Sequence, residues 1–313
     1  MKKVLITGIN GSAASYLAEH LIKFSGLKVM GLSRWHTSNL SSIQDGIQLF
    51  ECDLIDLGSV IRCLEEAKPD YIFHLASHAN VRLCFVNPIS VFNNNVNSTL
   101  NLLEAVRILK IKPIIQMAGT SEVYGQVRKE DCPITENYKI DPINVYAISK
   151  FAQEKLCKSY WLSYGIPVVL TRAFGYINPR RPDIFSSAFA RQVVEIERGE
   201  RQKLIHGNLD SVRTLLDVRD IAEAYWIAAN RCDYGVEYNV GGTSPITVGE
   251  FLSELVQHSK VKIVCEQDPK LLRPVDVTMQ IPDVAKFESK TGWKPKYELA
   301  DSIQFLLKYY RGK

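Results

Sequence analysis

Val4-Leu5-Ile6-Thr7-Gly8-Ile9-Asn10-Gly11-Ser12-Ala13-Ala14 is the stretch from which the rest of the chain is best read. A short apolar run closed by glycine is the pattern of a buried parallel strand. From Ala14 to Phe24 the pattern changes, with Leu17, Leu21 and Phe24 at helical spacing. Gly8 permits a tight turn between the two elements. Gly11 lets backbone approach a pyrophosphate, which the free N–H groups and dipole of the helix N-terminus attract. Ala14 is a third small residue that allows close helix–strand contact. The spacing is GxxGxxA rather than GxGxxG, and two glycines alone fit any strand-to-helix turn. Their place between a first strand and a first helix points to dinucleotide binding. Gly8, Asn10 and Gly11 are the expected contacts.

Outward from this loop the alternation continues. Strands are expected at Lys28–Leu32, Ile47–Cys52, Tyr71–Ala76, Pro113–Ala118 and Val168–Ala173, with helices at Val60–Ala67, Val91–Leu109 and Val145–Tyr164. Such an order predicts an α/β fold, a doubly wound parallel sheet of Rossmann type. Beyond about residue 175 the texture changes at Asn178-Pro179-Arg180-Arg181-Pro182, and helices are expected at Phe185–Arg198 and Val218–Ala229. Residues 1–174 are thus read as an NAD(P)-binding domain. Residues 175–313 are read mainly as a smaller, mixed α/β substrate-binding domain, with segments near 215–242 returning to the first.

Composition narrows the function. At 46% hydrophobic and 23% charged the chain can bury a sizeable core. A net charge of +4, spread evenly, argues against nucleic acid or an anionic membrane as partner. Seven cysteines without a CxxC pair argue against a disulfide framework or a zinc site. No apolar run reaches membrane-spanning length, and Lys2-Lys3 leads straight into a strand rather than a signal peptide. A cytoplasmic protein is expected.

The second strand ends Leu32-Ser33-Arg34-Trp35. NAD sites usually place an acid there to grip the ribose hydroxyls. Ser33 and Arg34 instead suit a 2′-phosphate, so NADP is favoured and NAD stays possible; the alternative for Arg34 is a solvated loop residue. Asp53 and Leu54 follow the third strand, where Asp53 serves either the adenine or a turn. Leu75 and Ala76 follow the fourth.

Tyr146 and Lys150 lie four residues apart and share a helix face. A phenol with a pKa of about 10 is a poor base at neutral pH, and a nearby ammonium lowers that value. Tyr146 can then take a proton from a hydroxyl as hydride leaves the same carbon, while Lys150 also holds the nicotinamide ribose. Thr120 and Glu122 end the fifth strand, where sites of open α/β sheets lie. Thr120 can bond the reacting oxygen, and Glu122 can remove a proton alpha to a carbonyl; the alternative is a polar loop capping a helix. His74 and His78 read as packed residues rather than ligands. Asn93-Asn94-Asn95 reads as a local cap, with Asn95 also suited to orienting site backbone.

Together these residues resemble the extended short-chain dehydrogenase/reductases over nearly the whole chain. The likeness rests on the glycine loop, His74-Leu75-Ala76, the Asn95–Ala105 stretch, Thr120–Gly125 and YxxxK. Gly11-Ser12, Ser15–Glu19, Thr120-Ser121-Glu122 and Asn178–Arg181 resemble GDP-mannose 4,6-dehydratases. Phe189–Gln192, Gly207–Asp210, Asp217–Asp220 and Leu272–Pro274 resemble the companion 4-keto-6-deoxymannose reductases. The dehydratase resemblance implies a GDP-sugar substrate and an internal redox cycle through Thr120, Glu122, Tyr146 and Lys150. A reductase needs only Thr120, Tyr146 and Lys150, so Glu122 favours dehydration. An epimerase also stays open, as does, outside catalysis, an NADP-binding sensor or scaffold. Ser121, Arg180, Asn208, Arg213 and Arg273 are the substrate contacts that the resemblance implies; for each arginine the alternative is a surface salt bridge. Relatives form dimers or tetramers, which implies a homo-oligomer. Phe174-Gly175, where these families often have Phe-Asn, and Ser98, in place of a common glycine, leave a heptose or another hexose open.

Overall fold

The structure is a computed structural model that describes residues 1–34, 38–272 and 276–313. Its first half alternates β1 (Lys2–Thr7), α1 (Ser12–Leu21), β2 (Leu27–Ser33), β3 (Gln48–Glu51), α2 (Leu57–Ala67), β4 (Tyr71–His74), the short α3 (Leu83–Val86), α4 (Pro88–Ile108), β5 (Ile114–Thr120), α5 (Val145–Tyr164) and β6 (Val168–Ala173). The strands pair in the order β3-β2-β1-β4-β5-β6, and Glu237–Val240 adds a seventh beside β6. All seven run parallel.

The sheet is apolar on both faces because helices cover both. Val4 and Ile6 point toward α1 and α7 (Val218–Arg231), and Leu5 between them points toward α2, α4 and α5. Local signals set the helix ends. Asp56 Oδ1 accepts from Gly58 N at 2.9 Å and starts α2. Lys68, left-handed at φ 45°, stops it just before Pro69.

The remaining chain packs around a second apolar centre. Ile177, Phe189 and Val193 meet Phe251, Leu255 and Leu306, joining α6 (Phe185–Glu197), α8 (Val248–Gln257) and α10 (Leu299–Arg311). Short strands flank them. Val212–Thr214 pairs with Pro245–Thr247 and Met279–Gln280, and Leu204–His206 pairs with Cys265–Gln267. α7, Glu237–Val240 and α9 (Ala285–Thr291) pack back on the first half. Among the described residues no helix is long and apolar enough to cross a membrane. Nor does any group of three or more His, Cys, Asp or Glu side chains there stand ready for a metal.

Candidate active site

The sheet order reverses between β1 and β4, which opens a crevice at the strands' carboxyl ends. A cleft of about 900 Å³ runs from that crevice toward the second apolar centre. Gly8 has φ 64°, and a Cβ there would lie 2.8 Å from Ala76 Cα. A Cβ on Gly11 would lie 2.9 Å from Gly8 O. No side chain caps α1, whose first turn at Ser12–Ala14 lines the cleft. A bare, positively polarised helix end behind glycines that tolerate no Cβ fits a dinucleotide pyrophosphate.

The loop is tied to the second strand. Asn10 Nδ2 donates to Ser33 Oγ at 2.8 Å, and Asn39 Nδ2 donates to Asn10 O at 2.9 Å. Arg34 is exposed at the strand's end, and its charge acts with burial to hold the His78 imidazole below its usual pKa. Cys52 N donates to Ser33 O at 3.0 Å, bringing Asp53 beside the same end. Asp53 Oδ1 accepts from Ile55 N at 3.1 Å. Leu54 is buried in the core. Leu75 lines the cleft, and Ala76 backs Gly8.

Thr120, Ser121, Glu122, Tyr146 and Lys150 all line the cleft. The Thr120 hydroxyl acts on the Tyr146 phenol and lowers its pKa. Burial pushes that phenol up to about 12, opposed first by the charge of Arg181 and then by the Thr120 hydroxyl. The sequence reading assigned the opposing charge to Lys150. In the structure Arg181 is the first of the opposing influences, and Lys150 is itself deeply buried and held down to about 8 by desolvation. Asn144 starts α5 and reaches Glu122, its Nδ2 donating to Oε2 at 3.1 Å. Asn95 fixes the backbone nearby. Its Nδ2 donates to Ser149 Oγ at 2.9 Å, Ser149 Oγ donates to Tyr146 O at 2.7 Å, and its Oδ1 accepts from His78 N at 2.7 Å.

The predicted substrate residues divide. Asn208 and Arg213 line the far part of the cleft. Asn208 Nδ2 donates to Ser211 Oγ at 3.0 Å, and Arg213 lies 3.9 Å from Asp276. Arg180 does not join them. It turns onto α1, ion-paired with Glu19, bonded to Ser15 Oγ at 3.0 Å and stacked 4.0 Å from the Tyr16 ring. That correction has a simple cause: Glu19 and Tyr16 offer an ion pair and a π face together. Its neighbour Arg181 lines the cleft instead, donating to Ala79 O at 2.6 Å and lying 3.4 Å from Asp183. Arg273, like Trp35, lies outside the described residues. Sequence reasoning missed Arg181 and Asn144. The polar residue directly ahead of α5 was the signal for Asn144; for Arg181 there was only the doubled arginine.

A glycine turn shaped for a pyrophosphate, with Thr, Tyr and Lys over the carboxyl ends of a parallel sheet, defines a nicotinamide-dependent enzyme of the short-chain dehydrogenase/reductase fold. The family model described as GDP-mannose 4,6 dehydratase matches residues 5–305, and the chain belongs to that family. The GDP-6-deoxy-D-mannose reductase of Pseudomonas aeruginosa is 31% identical over 76% of this chain and 79% of its own. The GDP-mannose 4,6-dehydratase of Yersinia enterocolitica is 30% identical over 95% of this chain and 90% of its own. Among solved structures, RMD from Pseudomonas aeruginosa complexed with NADPH superposes with a TM-score of 0.86 at 26% identity, covering 100% of this chain and 99% of that one. The UDP-glucose 4-epimerase of Thermus thermophilus, complexed with NAD, gives 0.88 at 27%, covering 99% of each.

Proposed function

We propose that the protein is an NADP-dependent 4,6-dehydratase acting on GDP-mannose or a closely related GDP-sugar. The observation that carries this reading is the Glu122 carboxylate, held by Asn144 in the cleft that Tyr146 also lines. Gly8, Asn10, Gly11 and the start of α1 would hold the cofactor pyrophosphate. Ser33 and Arg34 would hold the 2′-phosphate, Asp53 and Leu54 the adenine end, Leu75 and Ala76 the wall, and Tyr146 and Lys150 the nicotinamide ribose. When bound, the nicotinamide accepts hydride early in the cycle and supplies it late.

Tyr146 takes the proton of the 4-hydroxyl, with Arg181 and the Thr120 hydroxyl opposing the effect of burial on its phenol. The 4-ketone acidifies carbon 5, and Glu122 takes that proton. The C5–H electron pair becomes the C5–C6 double bond as the C6–O bond breaks. Glu122 returns its proton to the departing hydroxide, which leaves as water. Carbon 6 then gains hydride, and carbon 5 gains a proton that balances the one Tyr146 took from the 4-hydroxyl, so the net change is loss of one water. Ser121, Asn208, Arg213 and Arg273 are assigned to the substrate, whose diphosphate suits the guanidinium fork.

The division into a cofactor-binding unit at 1–174 and a substrate unit at 175–313 belongs to the same proposal. So does a cytoplasmic location, which fits an odd cysteine count without CxxC. A homo-oligomer is supported by Val86, 83% exposed, and Ile89, 73% exposed, which stand beside half-exposed Phe85 and Phe92. Light scattering of the purified protein should give a dimer or tetramer mass.

The second reading, a 4-ketosugar reductase, is favoured by the reductase relative. One assay separates them. Purified protein given GDP-mannose and no added cofactor should form the 4-keto-6-deoxy sugar. Silence there, with NADPH consumed on addition of the ketosugar, would establish the reductase instead.

A further inference from the structure

Asn144 has extended backbone, φ −144° and ψ 161°, and a buried side chain. Its Oδ1 accepts from Ala147 N at 2.8 Å, which caps the turn that carries Tyr146. Ser, Asp or Asn would all serve as that cap. The amide does something the other two cannot. While Oδ1 stays on the helix, Nδ2 donates to Glu122 Oε2 at 3.1 Å. Glu122 is held at its backbone as well, where its N–H donates to Thr120 Oγ1 at 3.3 Å. The buried Cys84 thiol, 3.9 Å from Asn144 Oδ1, closes the other side. One planar amide thereby fixes a flexible carboxylate relative to the first turn of α5.

We infer that Asn144 is a positioning residue for proton removal at carbon 5, aiming the Glu122 carboxylate at the carbon next to the one Tyr146 serves. This role rests on the dehydratase reading. In that step the C5–H bond breaks and its proton passes to Glu122. The electron pair becomes the C5–C6 double bond as the C6–O bond breaks, and the hydroxide leaves as water with the proton from Glu122. Asn144 exchanges no proton; it sets where the accepting oxygen stands. A carboxylate displaced by about an ångström loses up to roughly a hundredfold in rate.

Asn144→Ser keeps the cap and cannot reach Glu122. Asn144→Asp also keeps the cap but sets a like charge where the donor stood, and it serves if the serine variant folds poorly. Either variant, given GDP-mannose, should still reduce its bound cofactor, seen in the absorbance of the reduced nicotinamide. The deoxy product should form about tenfold to a hundredfold more slowly, with KM little changed. In a Glu122→Ala background the Asn144 substitution should add nothing. A readout without turnover is the Asn144 side-chain amide signal in NMR, identified by its loss in Asn144→Ser, which should shift in Glu122→Ala. The inference is overturned by product formation at the parental rate, by cofactor reduction falling in step with product, by multiplicative effects of the two substitutions, or by an unmoved amide signal. If the unsubstituted protein forms no deoxy product, the dehydratase reading fails and the inference falls with it. If it does and Asn144→Ser does equally, only the role of Asn144 falls.

Discussion

The Tyr146 phenol sits between opposing influences. Burial drives its pKa up to about 12, and Arg181, held by Ala79 O and Asp183, pulls it back. Tyr146→Phe keeps the ring and loses the transferable proton. It should abolish turnover while leaving cofactor affinity within about threefold, as measured by fluorescence titration; a fully active variant would remove Tyr146 from the mechanism. Arg181→Gln deletes the opposing cation, so the phenol should rise further. Since the base form is the active one, the rising limb of the pH–rate profile should move to higher pH, with activity at neutral pH down about tenfold. A limb that stays in place would show that Arg181 has no electrical role. At this scale the sequence was partly legible. Thr120, Glu122, Tyr146 and Lys150 could be picked out because strand ends and i,i+4 spacing fix where side chains go. Arg180 and Arg181 could not be told apart. Adjacent side chains diverge, and the partner that claims Arg180 is Glu19 on α1, brought near only by the fold.

Elements were legible where they are long and buried on a known face, as with β1, α5 and the parallel strands. Strands of two or three residues, such as Val212–Thr214 and Met279–Gln280, carry no periodicity and exist only through pairing with distant chain. α8 went unread although its Thr247–Glu250 capping box marked its start. Contacts between elements are further from view. Glu104 of α4 accepts from Tyr160 of α5 at 2.5 Å and from Arg107 at 2.7 and 2.8 Å. Those donors hold the Glu104 carboxyl down to about 2, the Arg107 bond contributing most. The folded pKa lies below the unfolded one, so this stabilisation is full above about pH 4.5 and is lost as pH falls toward 2. Tyr160→Phe removes one donor from a partly exposed carboxylate, a loss of about 1 kcal/mol. Thermal unfolding at pH 7 should come roughly 2 °C earlier in the variant, and the gap should narrow by pH 3. A gap that widens in acid would contradict the assignment.

The molecule as a whole should be sensitive to acid through a histidine at its centre. His74 joins β1 to α4: its Nδ1 meets Thr7 Oγ1 at 2.9 Å and its Nε2 meets Thr99 Oγ1 at 2.8 Å. Thr99 donates to Asn95 O and Thr7 accepts from Ala76 N, so a neutral ring protonated at Nε2 satisfies both threonines. Gln153 of α5 bonds the same Thr99 oxygen at 2.5 Å. A charged imidazole would have to give up its bond from Thr7 and face the Lys150 cation. Burial and that cation hold its pKa down to about 3. The unfolded chain takes this proton near pH 6.5 and the native one does not. Stability is therefore full above about 6.5 and falls with pH between about 6.5 and 3, by at most about 1.4 kcal/mol per pH unit from this group. His20 and His78, also lowered by burial, add to the same trend. Urea midpoints measured from pH 7.5 to 5 should therefore decline steadily. His74→Gln, whose amide carries one donor and one acceptor for the two threonines, should be less stable at pH 7.5 but show a shallower decline. A parental midpoint that holds flat across that range would mean His74 is charged in the native state, and the network would have to be drawn with an acceptor on each side of the ring.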